Sequence, residues 1–584
     1  MNFLIKFCGN KTLAVLFMTS MLTLILDLLS IALIFPFLKL FISPEIILSN
    51  ARIQPVYRYL NFTSTNQFIM AIGIGLAVLY LVKLFLKTYL TKIKFDMENS
   101  ITFKLATDLF KGLLGARYSL FTEGSASEMV GIINAHTVHS VICLESWIII
   151  VNEASFLAVL IIAFVLLSPG VTLTVLAAFS LMGIVLYIGL VKRIDTYGQV
   201  HSRLNLLVYK FAFDVANSIK DIKIMGLENN YVGKFTKIWK EYSENASKAK
   251  TAKGIPKDFS ETLVFGGIVF MCLYLLATKQ HIVDMIPLLG VVAVSAMRIL
   301  PSFNRIIMGY SEYKYFKNSL VVVEDLHSKL TKNKQFIKHV PMAFDKTFRI
   351  HDVRIRYADK TVLDSVSLTI EKGTSVAFVG LSGAGKSTLL DVLAGLKQVE
   401  CGEFYLDGKV FDPFSMDSLR ARIGYVPQHV SLIDDSLAYN ISFEENHDSD
   451  KIDKVVKMAR LSPYIEGLER GVDTLIGESG VRVSGGQRQR IGIARALYRD
   501  PEILIFDEAT SALDNVTERE LMIEINALSG SKTLIIVAHR LSTVENCDTI
   551  YLLDQGRIIS QGTHKELLTL SAEYRNLYNQ QQQT

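Results

Sequence analysis

Gly380, Gly385, Lys386 and Ser387 fall at the spacing G-x-x-x-x-G-K-[ST] in the run GLSGAGKST, Gly380–Thr388. Glycines at 380, 383 and 385 let a backbone turn its N–H groups toward phosphate oxygens. A helix opening near Lys386 would aim its positive end at the same anion. Lys386 is then placed to reach β- and γ-phosphates, and the Ser387 hydroxyl to ligate Mg²⁺. Downstream, EILIFDE (Glu502–Glu508) is an apolar run that ends in two carboxylates. Asp507 fits a Mg²⁺ shell, and Glu508 fits a general base that polarises an attacking water. An apolar run before Asp-Glu is a weak signal alone. Joined to the glycine loop, it predicts binding and hydrolysis of ATP.

Those groups need a frame. VAFVG (Val376–Gly380) is an apolar lead into the loop, and STLLDVLAGL (Ser387–Leu396) follows with helical patterning. The order is strand, glycine loop, helix, the setting this motif requires. EILIF reads as a buried parallel strand carrying its acids at the C-terminal end. An α/β P-loop domain is therefore predicted in the second part of the chain.

On these motifs the chain resembles the nucleotide-binding domain of ATP-binding cassette (ABC) proteins, over roughly Phe348–Thr584. The resemblance implies that Gly380, Leu381, Ser382, Gly383, Ala384, Gly385, Lys386, Ser387 and Thr388 cradle the nucleotide. Tyr357, in IRYAD, falls where the family stacks an aromatic ring on adenine. Gln428, in YVPQ, matches a loop glutamine that senses Mg²⁺ and contacts the membrane domain; the implied metal set is Ser387, Gln428 and Asp507. Ser484, Gly485, Gly486 and Gln487, in RVSGGQRQR, match the signature that faces the γ-phosphate held by the other copy. Val483 replaces the usual Leu, for which only a packing difference is expected. Asp514, in SALD, resembles the loop that crosses the dimer interface. His539, in VAHRLST, resembles the switch histidine on the γ-phosphate, and Glu478, in TLIGESG, an exporter-specific loop. Each motif occurs once. The chain would thus carry half of each of two shared sites and act as a C₂ homodimer.

The first part of the chain differs in material. The chain of 584 residues is 50% hydrophobic, with mean hydropathy +0.33, as expected of a membrane half joined to a soluble half. Apolar runs long enough to cross a bilayer recur near 13–41, 68–90, 138–167, 171–191, 259–278 and 286–310. The first is too long for a signal peptide. Connections near 92–124 and 192–257 are rich in Lys and Arg, as cytoplasmic segments should be. The resemblance implies a fold class of an α-helical six-span transmembrane domain (type I ABC exporter, type IV transporter fold) fused to the α/β P-loop ATPase. The expected layout is a membrane domain at 1–325, a linker at 326–347 and the nucleotide-binding domain at 348–584. Segments near Tyr118–Ala126 and Gly226–Gly233 fall where the family has its coupling helices. The five cysteines have no metal or disulfide spacing. The net charge of +5 is mild and no basic run is interleaved with aromatics, so nucleic acid is not an expected partner.

Charges at membrane depth are costly and usually face a cavity or a partner. Here they lean basic: Lys83 with Lys87, Lys257, Arg298 and Arg305. Doubled in a homodimer, Lys83, Lys257, Arg298 and Arg305 would form a ring able to hold a pyrophosphate. The plainer reading is that the lysines snorkel and an arginine pairs with Glu261 or Asp27. The Arg298–Arg305 run, Asp27 in LDLLSIALIFPF and the amphipathic ARIQPVYRYLNF (Ala51–Phe62) resemble bacterial lipid-linked oligosaccharide flippases. In the last segment Ile53, Val56, Tyr57 and Leu60 form a stripe with Arg52 and Arg58 off it. The resemblance implies a bacterial inner-membrane exporter that uses ATP and Mg²⁺ to flip a pyrophosphate-linked glycolipid outward. Export of lipid A, drugs or peptides, or a non-transporting ABC ATPase, are the alternatives.

Overall fold

The computed structural model describes residues 2–42, 44–50, 53–59, 62, 64–123, 126–167, 189, 192–277, 282–334, 343–357, 360–414, 417–477, 483–509, 522–523, 525–538 and 540–582. The chain divides into two compact units. One is Met1–Ala116 with Glu123–Lys334; the other is Arg117–Thr122 with Gln335–Thr584.

The first unit is helical. Its long helices are α1 (Asn2–Ile42), α2 (Thr65–Leu114), α3 (Thr137–Leu167), α4 (Lys192–Asn217), α5 (Glu228–Ala277) and α6 (Ile282–Lys332). Asn2–Ser30, Thr65–Leu114 and Ser127–Ile162 contain stretches long and apolar enough to cross a membrane. The predicted span 171–191 lies outside the described residues apart from Gly189, as do the side chains of 281–298. Several exposed faces of these helices are apolar, including Phe85, Phe103, Ile162 and Phe265; a lipid-facing surface has this composition. Where α4 crosses α6 the backbones nearly touch. A Cβ on Gly198 would lie 2.2 Å from the Tyr315 carbonyl oxygen, so only glycine fits there.

The second unit holds two sheets. An antiparallel one has the order β2-β1-β4-β5, from β1 (Thr347–Tyr357), β2 (Lys360–Glu371), β4 (Cys401–Leu406) and β5 (Lys409–Phe411). The other runs β10-β9-β3-β8-β7-β6, from β3 (Ser375–Val379), β6 (Ile423–Val426), β7 (Ile503–Asp507), β8 (Thr533–Val537), β9 (Thr549–Asp554) and β10 (Arg557–Gly562). Strands β3, β7 and β8 read SVAFV, ILIFD and TLIIV and are buried along their whole length. Continuous apolar runs of this kind belong in a sheet covered on both faces. Val376, Phe378, Ile503, Ile505 and Ile535 face one core with the antiparallel sheet. Ala377, Val379, Leu504, Phe506 and Ile536 face the other. Asp407, at the turn before β5, accepts hydrogen bonds from the backbone N–H groups of Asp345, Lys346 and Thr347 at 2.7, 2.7 and 2.8 Å, and so ties down the entry to β1.

Candidate functional site

Parallel pairing brings the chemical groups to one edge. Phe378 of β3 is level with Val537 of β8, which is level with Asp507 of β7; Phe506 is in turn level with Val426 of β6. The strands are parallel, so the segments that leave their C-terminal ends emerge on the same side. The glycine loop leaves β3, the Asp507–Glu508 pair ends β7, and Gln428 lies two residues beyond β6. A crevice at the C-terminal ends of such strands is the general ligand position in open α/β sheets.

The glycine loop has the backbone its sequence requires. Gly380, Gly383 and Gly385 have φ of 150°, 83° and 100°. At Gly380 a Cβ would also lie 2.2 Å from the Leu553 carbonyl oxygen. The helix α7 (Lys386–Leu393) starts directly after Gly385 and is held by buried Leu389, Leu390, Val392 and Leu393. Ser387 at its start is exposed, whereas Lys386 is buried. The Lys386 ammonium donates to the carbonyls of Gly380 at 2.8 Å and Leu381 at 3.1 Å, inside the loop it would share with phosphate. Burial lowers its pKa, while the carboxylates of Glu508 and Asp507 pull it back up.

Asp507 is buried and accepts a hydrogen bond from the Tyr425 hydroxyl at 3.0 Å. Burial first, then the Asp507 charge and this hydrogen bond, raise the Tyr425 phenol. The same two influences, burial and Asp507, push the Asp391 carboxyl on α7 up to about 6. Glu508 has φ +51°, a left-handed backbone unusual for a residue with a side chain. Its N–H donates to Val537 O at 3.0 Å, and its carboxylate accepts from the Gln428 amide. The turn at Glu508 thus brings two residues expected at the hydrolytic site, 80 positions apart, into direct contact.

Ser484 caps the helix α8 (Gly485–Tyr498) through a capping box. Its Oγ accepts from Gln487 N at 3.3 Å, and its own N–H donates to Gln487 Oε1 at 2.9 Å. Val483 is buried in the adjoining core. Segment 117–122, expected near a coupling helix, groups with the second unit. There Arg117 donates to Gln398 at 2.6 Å, and Tyr118 lies close enough to Tyr425 to raise its phenol further. Asp514, His539 and Glu478, and the side chain of Tyr357, lie outside the described residues.

The first unit contains a cavity of about 1030 Å³ lined by all six long helices, with charged side chains among apolar ones. Four of its basic residues face acids. Lys87 lies 3.1 Å from Asp27, Lys94 3.2 Å from Glu145, and Lys253 3.0 Å from Glu312, while Arg305 pairs with Glu153. Of the four predicted cargo residues, Arg305 lines the cavity; Lys83 pairs with the cavity residue Asp27 at 3.0 Å. Lys257 is exposed on α5, and the Arg298 side chain lies outside the described residues. Glu261 or Asp27 was the partner expected for an arginine. Arg305 instead takes Glu153, 152 positions away on α3, a partner no local spacing signals. Near the same cavity the rings of His139 and His201 lie 5.7 Å apart, and His136 is 6.1 Å from His139. These histidines carry no motif in the sequence; α3 and α4 each pack on α6, whose Phe316 lies 4.4 Å from the His139 ring and whose Tyr315 lies 4.9 Å from that of His201.

Residues 363–511 match the ABC transporter family. Over 229 residues the chain is 46% identical to an ATP-dependent lipid A-core flippase of Hahella chejuensis, covering 38% of this chain and 39% of that protein. It is 44% identical over 243 residues to the heterocyst differentiation ATP-binding protein HepA of Nostoc sp., covering 41% and 40%. The chain thus matches about two fifths of the length of these curated relatives. Among solved structures, a bacterial Atm1-family ABC exporter with ATP bound superposes with TM-score 0.77 at 23% identity, covering 98% of this chain and 99% of that one. At that identity the likeness shows the fold alone: a helical domain joined to an α/β domain, arranged as in ABC exporters.

Proposed function

We propose that this protein is a homodimeric ATP-driven exporter that flips a phosphate-bearing glycolipid outward across a bacterial inner membrane. The observation that carries this reading is the alignment of the glycine loop, Asp507 and Glu508 at one edge of a parallel sheet. The other unit of the chain adds a cavity with charged lining residues among apolar helices.

ATP would lie on the loop Gly380–Thr388, with Lys386 leaving the loop carbonyls for the β- and γ-phosphates. Ser387, Asp507 and Gln428 offer the hard oxygen donors that Mg²⁺ takes. When bound, the ion neutralises charge on the β- and γ-phosphate oxygens. Glu508 orients and deprotonates the attacking water, and Gln428 holds its carboxylate. Ser484, Gly485, Gly486 and Gln487 of one chain would close on nucleotide held by the other, with Asp514 at the interface, Tyr357 on adenine and His539 on the γ-phosphate. Segment 117–122, beside Tyr425, is suited to carry closure of the nucleotide site toward the membrane helices.

For the passenger we favour a pyrophosphate-linked oligosaccharide. The first and last spans resemble those of the lipid-linked oligosaccharide flippase PglK, and Lys83, Lys257, Arg298 and Arg305 offer basic groups. A lipid A-type glycolipid is the second reading, favoured by the names of the relatives that match the ATPase part. The test is reconstitution in liposomes with ATP. Outward movement of a polyprenyl-pyrophosphate glycan, blocked by Glu508→Gln, is the expected result. Movement of lipid A alone would select the second reading. Robust ATP hydrolysis without movement of either lipid would overturn both.

A further inference from the structure

We infer that Glu153 sets the cargo specificity of the cavity: it masks Arg305, so a headgroup enters only if it replaces both partners of that ion pair. This rests on the glycolipid reading above and says which part of such a lipid is recognised.

The two partners are unequally buried: Glu153 is 13% exposed and Arg305 48%. An anion that simply captured the guanidinium would leave a mostly buried carboxylate without its counter-charge, next to a second negative group. Both effects are unfavourable: an uncompensated buried charge and a like-charge contact. A bare lipid phosphate brings acceptors only and meets that cost in full. A headgroup that carries hydroxyl or ammonium donors beside its phosphate meets it differently. Its phosphate takes Arg305 in a bidentate fork while a sugar donor takes Glu153.

A second observation points the same way. Asn152, the neighbour of Glu153 on α3, also lines the cavity, and its Oδ1 is buried without a hydrogen-bond partner among the described residues. Buried acceptors are normally satisfied. Asn152 and Glu153 thus line one cavity side by side, each carrying a side-chain acceptor, and Arg305 pairs with the second. A sugar that adjoins a phosphate matches this pattern, and a bare lipid phosphate or pyrophosphate does not. Selectivity through an unfavourable term for the wrong ligand is a common solution when attraction alone would accept every anion.

The full-length dimer in phosphatidylcholine liposomes, whose headgroup has no N–H or O–H donor, is titrated with two probes, polyprenyl pyrophosphate and the same lipid carrying a disaccharide. ATPase stimulation gives the half-maximal concentration for each. The wild type should prefer the sugar-bearing lipid. Glu153→Gln should lower that preference by about tenfold or more, because the bare lipid now binds. Glu153→Asp keeps the charge and should keep the preference. Arg305→Gln should weaken the response to both lipids. Glu153→Ala reads the same ratio through a different side chain, should the Gln variant not fold. A folded, dimeric Glu153→Gln or Glu153→Ala protein with the wild-type ratio would overturn the inference and leave the glycolipid reading standing. A wild type that answers neither lipid would overturn the glycolipid reading, and this inference with it.

Discussion

At the scale of the residue, Glu508 combines two features that rarely coincide. It follows a fully buried strand, and its backbone is left-handed. That conformation costs on the order of 1–2 kcal/mol for a residue with a Cβ, and it brings the carboxylate onto Gln428. Glu508→Gln should keep ATP binding and slow hydrolysis by about 10²–10⁴-fold, measured as single-turnover phosphate release alongside nucleotide retention. Release at the wild-type rate would remove Glu508 from the role of base. Asp507, Glu508 and the glycine loop were legible in the sequence because their signals are contiguous: a loop or a strand end carries its own pattern. Arg305 was legible only as a charge. Basic groups at membrane depth can be counted along the chain, but each counter-charge comes from a different helix. Glu153 for Arg305 and Asp27 for Lys83 belong to tertiary packing. The expected open basic ring is therefore, at these two residues, a set of ion pairs.

At the scale of the element, the turn before β5 acts as a clamp. Burial would raise the Asp407 carboxyl, but three backbone N–H groups outweigh it and, with Lys372, hold it below the ordinary carboxylate range. A carboxyl with a lowered folded-state pKa contributes stability above its unfolded pKa, near 4, and loses it as pH falls through the folded value. Asp407→Ala should thus destabilise the protein at neutral pH, and the gap from wild type should close in strong acid. Charge-assisted hydrogen bonds suggest a loss of about 1–3 kcal/mol, at the low end because the site is partly solvated. Thermal melts at neutral and acidic pH check it; an equal shift at both would refute the charge-based account. Gly380→Ala tests another element. Its Cβ would meet the Leu553 carbonyl at 2.2 Å, so nucleotide binding should fail even where the protein still folds, as fluorescent-nucleotide titration would report. The short helix Ile53–Tyr59 shows how far periodicity can be trusted. Of the predicted stripe, Ile53 and Tyr57 pack toward Phe68 and Leu40, whereas Val56 is exposed. Arg52 and Leu60 lie outside the described residues. The amphipathic pattern was readable, but which part of the stripe finds a neighbour depends on where α1 and α2 stand.

At the scale of the whole molecule, one chain supplies Lys386 and Ser484 from different helices of the same unit, and the proposed dimer pairs each with its counterpart's opposite. Lys386→Ala and Ser484→Arg should each abolish hydrolysis as homodimers. Co-purified as a mixed dimer they should recover it, because one site then combines the intact Lys386 of one chain with the intact Ser484 of the other. No recovery in a verified mixed dimer would mean that each chain hydrolyses alone. The strand order has a consequence for the history of each molecule. Strand β3, which leads into the nucleotide loop, lies between β8 and β9. Its neighbours are made long after it: Ser375 pairs with Leu534, and Val379 with Leu552. At synthesis speeds of roughly 5–20 residues per second, the wait is on the order of ten to forty seconds. During that time an apolar strand, SVAFV, has left the ribosome without its partners, the kind of segment on which nascent chains aggregate. The glycine loop proposed to grip phosphate is therefore among the last features of this chain to acquire a shape, and a ribosome that stalls before β9 leaves a product with the motif spelled out and nowhere to hold it.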